Sequence, residues 1–304
     1  MTTVRRIAAS LAVFCLAATG CSAAASDGRT VVVTTNILGD LTRNVVGDEA
    51  ELTVLMGPNA DPHSFGISAQ QAAALENAGL VVYNGLGLEE GVLRHVEAAE
   101  AAGAATLAVG EEIDAIPYAE GDAAGQPDPH FWTDPTRVRT AVEAIADRVV
   151  AEVDGIDAEA VRANAASYLE QLDELDRWTA EQFADIPADR RRLVTNHHVF
   201  GYLAQRYDFE ILGAVIPSGT TLASPSSADL ASLAEAIRAA GVPAVFADSS
   251  QPDRLAQVLA EQAGLEVAVV PLFSESLTEP GKGAGTYLEL MRANTEAIVT
   301  GLVQ

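Results

Sequence analysis

Short unbroken apolar runs alternate along this chain with longer stretches in which apolar positions recur every three or four residues. Segments 30–36 (TVVVTTN), 50–56 (AELTVLM), 80–85 (LVVYNG) and 106–109 (TLAV) predict four buried strands, separated by helical patterns near 37–47, 68–78 and 89–102. The rhythm then repeats: 192–197, 209–215, 243–248 and 265–272 as strands, with helices near 199–206, 226–240 and 252–263. Strands that are apolar on both faces must be covered on both faces, and strands alternating with helices pair in parallel. The pattern therefore predicts an α/β protein of two lobes with parallel sheets.

Two further helices lie between the series. Thr133-Asp134-Pro135 opens the first with a polar cap and a proline at the first helical position, and it runs to about Val153. The second carries Val161, Ala165, Tyr168, Leu169, Leu172, Leu175, Thr179 and Phe183 on one stripe, from about Asp157 to Ile186. At 1.5 Å per residue it is ~45 Å long, enough to run past both lobes as a rigid linker. The division is thus a first lobe over 30–156, a linker helix over 157–187 and a second lobe over 188–304. A continuous helix resists the wide hinge bending that flexible linkers allow, so little lobe rotation is expected. Motion is expected in the loops around His130 and Glu275 and in the glycine-rich stretch from Gly281 to Gly285.

The first twenty residues stand apart from this scaffold. Arg5 and Arg6 precede an apolar run from Ile7 to Ala18, too short for a bilayer span of ~20 residues but right for the core of an export signal. The run ends in Ala18-Thr19-Gly20-Cys21, which resembles the site at which bacterial lipoproteins are cut and lipidated. On that reading residues 1–20 are a signal peptide, 21–29 a tether, and a lipid on Cys21 anchors the chain to the membrane outside the cytoplasm, in the periplasm or at the cell surface. An ordinary secretory cleavage nearby would instead leave Cys21 a free thiol. Cys15 leaves with the signal, so the exported domain has no internal disulfide and rests on its core. Without residues 1–20, 16 basic residues face 43 acidic ones, a formal charge of −27. Such a polyanion repels nucleic acid and draws small cations.

Only five histidines are present, and two of them follow the same dipeptide: Asp61-Pro62-His63 and Asp128-Pro129-His130. His63 follows the second strand, His130 the fourth by a long loop, and His197 ends the fifth. In open parallel sheets ligands gather beyond the carboxyl ends of strands, so three histidines lie where a site forms. A lone loop histidine is ordinarily a surface group; the repeated motif and the shared location make these three a pattern. Asp61 and Asp128 are placed to orient the rings or to satisfy loop backbone. His95 sits among charged residues of a helix and reads as solvated. His198 points away from His197 if the strand continues, and is the reserve candidate.

Other chemistries fit poorly. GLGLEEG (85–91) has Glu90 where a dinucleotide fingerprint needs its third glycine, and EPGKGAG (279–285) lacks the spacing of a phosphate loop. Neither a Gly-x-Ser-x-Gly elbow nor a His-Glu-x-x-His helix occurs. The Ser/Gly/Pro-rich stretch 213–230 reads as a flap or a strand connection.

The stretches NADPHSFGISAQQAAALENAGLVVYNGLGLE, DPHFWTDP, TNHHVFGYLAQRY, VFADSS and FSESLTEPGKGAGTYLELMRANTEAI resemble, in order, the signatures of the metal-binding extracytoplasmic receptors of ABC transporters for zinc and manganese. The resemblance spans nearly all of 30–303 and implies two (β/α)4 lobes, one long linker helix, no enzymatic activity and one metal ligand from each of four places. It places these on His63, His130, His197 (four before the glycine of H-x-x-F-G-Y) and Glu275, where Glu275-Ser276-Leu277 replaces the usual Asp-Ser-Leu. Asp248 is a weaker candidate. It also implies a monomer that hands its ion to a membrane permease.

Three imidazoles and one carboxylate suit Zn2+, which takes nitrogen and oxygen donors in a tetrahedron at ~2.0–2.2 Å. Mn2+, the alternative, prefers more oxygen. The acidic stretch 118–126 before His130 lacks the histidines that many zinc receptors of this family carry there. With ordinary imidazole pKa values near 6.5, three such ligands predict affinity that falls steeply below about pH 6. A metal-dependent hydrolase is the competing reading from another class.

Overall fold

The computed structural model describes residues 28–119, 121–250, 253–263 and 267–303. The export signal and most of the tether, Cys21 included, lie outside the described residues. In chain order the elements are β1 (Thr30–Val33), α1 (Asn36–Val46), β2 (Glu51–Val54), α2 (Ala69–Glu76), β3 (Leu80–Tyr83), α3 (Leu93–Ala102), β4 (Ala105–Ala108), α4 (Pro135–Glu152), α5 (Ala158–Ala184), β5 (Arg192–Thr195), α6 (Gly201–Tyr207), β6 (Glu210–Ala214), α7 (Ser227–Ala240), β7 (Ala244–Asp248), α8 (Arg254–Ala263), β8 (Ala268–Leu272) and α9 (Tyr287–Val303). The first lobe holds one parallel sheet in the order β2-β1-β3-β4. The second holds two parallel pairs, β5-β6 and β7-β8; β5 and β7 lie side by side without a hydrogen-bonded ladder among the described residues.

The inner strands β1, β3, β5 and β7 are buried on both faces, as their unbroken apolar runs require, whereas β2, β4, β6 and β8 are only partly buried. Along β1, Val31 and Val33 enter the large central core while Val32 enters an outer one with Val81 and Leu75. In the second lobe Ala244 and Phe246 face the central core, and Val245 and Ala247 an outer one. Both lobes contribute to the central core, together with α1, α4, α5 and α9. They are therefore continuous through packed side chains, and an interior at crystal-like density does not shear freely.

The linker α5 is 27 residues, ~40 Å of helix, capped by the Asp157 carboxylate on the N–H groups of Glu159 and Ala160. Its buried face is Val161, Ala165, Tyr168, Leu172, Leu175, Thr179 and Phe183, the stripe read from sequence except that Leu169 is half-buried. It packs on α4, α9 and α1.

Three expectations need correction. α3 starts at Leu93 rather than 89, because Gly85, Leu86 and Gly87 take positive φ (76°, 53° and 84°) and wrap a turn around Glu89. That buried carboxylate accepts from Thr34 Oγ1 (2.7 Å) and from the N–H groups of Asn84 (2.7 Å) and Gly85 (3.1 Å). The strand expected over 192–197 stops at Thr195, leaving both following histidines on a loop. Finally, no helix was marked after 265–272, although a (β/α)4 lobe has one there: α9 covers the central core with Tyr287, Leu290, Met291 and Ile298. Among the described residues no helix is long and apolar enough to cross a membrane.

Candidate metal centre

The repeated Asp-Pro-His is a repeated turn. Proline has no N–H, so the carboxylate before it reaches the next one: Asp61 Oδ1 accepts from His63 N and Asp128 Oδ1 from His130 N, both at 2.9 Å. Asp134-Pro135-Thr136 uses the same bond at 2.8 Å to open α4. Each imidazole is thereby held close to its own aspartate. Asp128 does more, because Oδ1 also meets His130 Nδ1 at 2.7 Å. With the proton placed on Nδ1 to satisfy that bond, the Nε2 lone pair faces the interior of the site.

His63 Nε2 and His130 Nε2 lie 3.3 Å apart. From the second lobe, Glu275 Oε1 lies 2.9 Å from His197 Nε2 and 3.7 Å from His130 Nε2, while Oε2 lies 3.9 Å from His63 Nε2. The four donor atoms all fall within 4.8 Å of one another, and all four residues are buried. A tetrahedron with bonds of ~2.0–2.2 Å has edges of about 3.3–3.6 Å, so these spacings are those of a single-ion cage.

Burial governs the protonation of the cluster. It pulls His63 down to about 4 and His130 to about 3, each partly offset by Glu275, and it lowers His197 as well. The imidazoles are neutral at pH 7, with lone pairs available. Burial also raises the carboxyl of Glu275, and pushes Asp128 up to about 7 against the pull of its backbone hydrogen bond. Both Glu275 oxygens, and the Nδ1 and Nε2 of His197, are buried without a hydrogen-bond partner among the described residues. Orphaned acceptors of this kind are costly unless a cation or donor meets them, and the donor set fits a divalent ion.

Long-range bonds aim the carboxylate. Trp132 Nε1 donates to Ser274 O (2.8 Å), and Tyr287 Oη to Trp132 O (2.8 Å). Asn36 accepts from Leu277 N (3.0 Å) and donates to Ser276 Oγ (2.8 Å), while Asn294 brackets Phe273 through its N–H and its carbonyl. Sequence reasoning missed Asn36, Trp132 and Asn294 in this role. It also expected mobility around Glu275, where the structure places a loop tied to both lobes.

The H-x-x-F-G-Y segment acquires physical reasons. Tyr202 Oη donates to Asp128 O (2.7 Å) and accepts from Ile116 N (3.2 Å). A Cβ on Gly201 would lie 2.9 Å from Asp128 Oδ2, so glycine leaves room for the carboxylate that holds His130. His197 faces the other three donors, whereas His198 bonds Ser218 O through its N–H and lines a neighbouring apolar cleft. Asp248 is buried at the end of β7, its carboxyl pushed up to about 6 by burial and by Glu275, and its Oδ1 accepts from Ser250 N (2.7 Å). It lies outside the four-donor cluster.

Residues 31–301 match the family model described as zinc-uptake complex component A, periplasmic. The zinc-binding protein TroA of Treponema pallidum is 33% identical over 94% of this chain and 92% of its own length. The manganese-binding lipoprotein MntA of Halalkalibacterium halodurans is 29% identical over 96% of each. Among solved structures, the periplasmic zinc-binding protein TroA superposes with a TM-score of 0.82 at 30% identity, covering 90% of this chain and 99% of that one. A manganese-bound periplasmic metal-binding protein from Candidatus Liberibacter asiaticus gives 0.79 at 25%, with the same coverage. These likenesses remove the hydrolase reading: the chain belongs to the family of zinc-uptake complex component A, the non-enzymatic, metal-binding substrate-binding proteins of ABC transporters.

Proposed function

We propose that the chain is a high-affinity zinc receptor that captures one ion on His63, His130, His197 and Glu275 and hands it to an ABC-type membrane permease. The observation that carries the reading is the buried set of three imidazoles and one carboxylate whose donor atoms lie within 4.8 Å of one another. Manganese is the reading that MntA's name favours. Against it stands the donor chemistry, because Mn2+ favours oxygen-rich shells and this cage offers a single carboxylate. Residues 1–20 direct export and a lipid on Cys21 tethers the monomer, with lobes over 30–156 and 188–304 on the linker 157–187. The acidic surface draws cations toward the chain.

Any nitrogen-bearing site binds zinc above manganese at equilibrium, so affinity alone is a poor test of the transported metal. A strain lacking this chain, starved separately of zinc and of manganese, is the better one. The proposal expects a growth defect under zinc starvation that the parent gene repairs and His130→Ala does not. A defect confined to manganese starvation overturns it.

A further inference from the structure

The four donors are buried, so an ion reaches or leaves them only where the shell opens. On one side lies packed core around Leu38, Phe131 and Trp132, through which a hydrated cation does not pass. On the other, His63 lies on the wall of a cavity of about 370 Å3 whose rim carries Glu90 and Asp122. The segment between β6 and α7 forms part of its wall. Ser218, Gly219 and Thr220 from the second lobe line it opposite Tyr118 and Asp122 from the first.

That segment is fastened across the lobe seam at three points. Thr221 Oγ1 donates to Asp61 Oδ2 (2.6 Å), Tyr118 Oη donates to Gly219 O (3.1 Å), and Ser218 Oγ donates to Asp122 Oδ2 (3.3 Å). Two of these reach groups that hold the candidate ligands. Asp61 also binds His63 N, and Tyr118 Oη lies 3.3 Å from His130 Nδ1. The fit is close: a Cβ on Gly219 would lie 2.6 Å from the Tyr118 ring, and one on Gly121 2.8 Å from Pro217 O. Nothing larger than glycine fits at 219 unless the segment or the Tyr118 ring shifts.

We propose that segment 216–222 is a latch over the metal cage, with Thr221 and Tyr118 as positioning residues that act through Asp61 and His130 to set how fast the ion exchanges. Opening the latch removes the cover, while Asp61 and Asp128 keep their own bonds to the N–H groups of His63 and His130. A latch differs in kinetics from a ligand. Damage to a ligand raises koff alone, whereas an opened cover speeds passage in both directions.

The inference rests on the receptor reading, and its test separates the two. Zn2+ alone is the probe, with kon and koff for the whole exported chain measured by stopped-flow against a fluorescent chelator. Thr221→Val and Gly219→Ala are each expected to raise both rates by about fivefold or more while their ratio stays within about threefold, with Thr221→Ser restoring the parent rates. Tyr118→Phe, which keeps the ring and loses the hydroxyl, guards against a misfolded variant. Parent-like rates in all three variants, or a rise in koff alone, overturn the latch while leaving the receptor intact. A parent chain that takes up no zinc overturns both.

Discussion

His63 and His130, the donors of the first lobe, sit on turns that hold themselves, since each aspartate bonds the N–H two residues on. Glu275, from the second lobe, depends on Trp132 and Asn36, which stand 142 and 241 positions from the residues they bond. The His197 ring nitrogens, both Glu275 oxygens and His63 Nδ1 lack hydrogen-bond partners among the described residues, whereas His130 Nδ1 is met at 2.7 Å by Asp128, so the first lobe's advantage is in its turns and in one of its two rings. One half of the cage is thus pre-set by local chemistry. The other half is assembled by tertiary structure and, on the proposed function, is completed electrostatically by the ion.

The largest effects come from destroying either half. His63→Ala, His130→Ala, His197→Ala and Glu275→Ala should each weaken zinc by more than about 100-fold, because even an outer partner is worth 10–100-fold. Chelator-competition titration measures this, with circular dichroism as the control for folding. His198→Ala should bind like the parent. If the two neighbours trade places in this experiment, the third donor has been misassigned.

The next effect sharpens the contrast between halves. Asp128→Asn replaces the carboxylate on His130 Nδ1 and is expected to cost about 10–100-fold in affinity. Asp248→Asn, outside the cluster, should cost clearly less. Equal losses would mean that the second lobe has its own ring-orienting acid.

Trp132→Phe tests the long-range half. It leaves the Ser274 carbonyl without its donor, at a cost of about 1–3 kcal/mol in denaturant unfolding, with zinc affinity falling about tenfold or less. Unchanged stability would show that the indole does not aim the carboxylate.

Smaller still is the pH effect. Protons compete with the ion, so affinity falls as pH falls. His63 and His130, held near 4 and 3, do not compete above pH 5, which leaves Asp128 near 7, Asp248 near 6 and the raised Glu275 as the first groups to take protons, and of these only Glu275 is a donor that must lose its proton for the ion to bind. Log affinity should therefore drop by no more than about one per pH unit between 7.5 and 5.5, not by the three expected of imidazoles at their ordinary 6.5. A slope near three contradicts the buried, preformed cage. The smallest change is in shape. Because both lobes share one core with α5, scattering should register no resolvable decrease in radius of gyration on zinc loading.

The same contrast explains what the sequence disclosed. Strand and helix order, the buried stripe of α5 and the Asp-Pro-His turns are local patterns, readable from residues a few positions apart. The turn around Glu89 was not, because it is stabilised by Thr34, just beyond β1 and 55 positions earlier. α9 was legible too, since Tyr287, Leu290, Met291, Ile298 and Leu302 recur at helical spacing, but it was left unmarked. Glu275 came from the family resemblance alone, since no local feature distinguishes it from the other exported acids until Asn36, Trp132 and Asn294 place it.

The central claim is a four-donor cage of three imidazoles and one carboxylate around zinc, and X-ray absorption at the zinc edge of the loaded protein tests it most directly. The account predicts four nitrogen or oxygen neighbours at ~2.0–2.2 Å with outer-shell scattering from three imidazoles, and from two in His197→Ala. Six oxygen-rich neighbours, or an imidazole count that His197→Ala leaves unchanged, would contradict it.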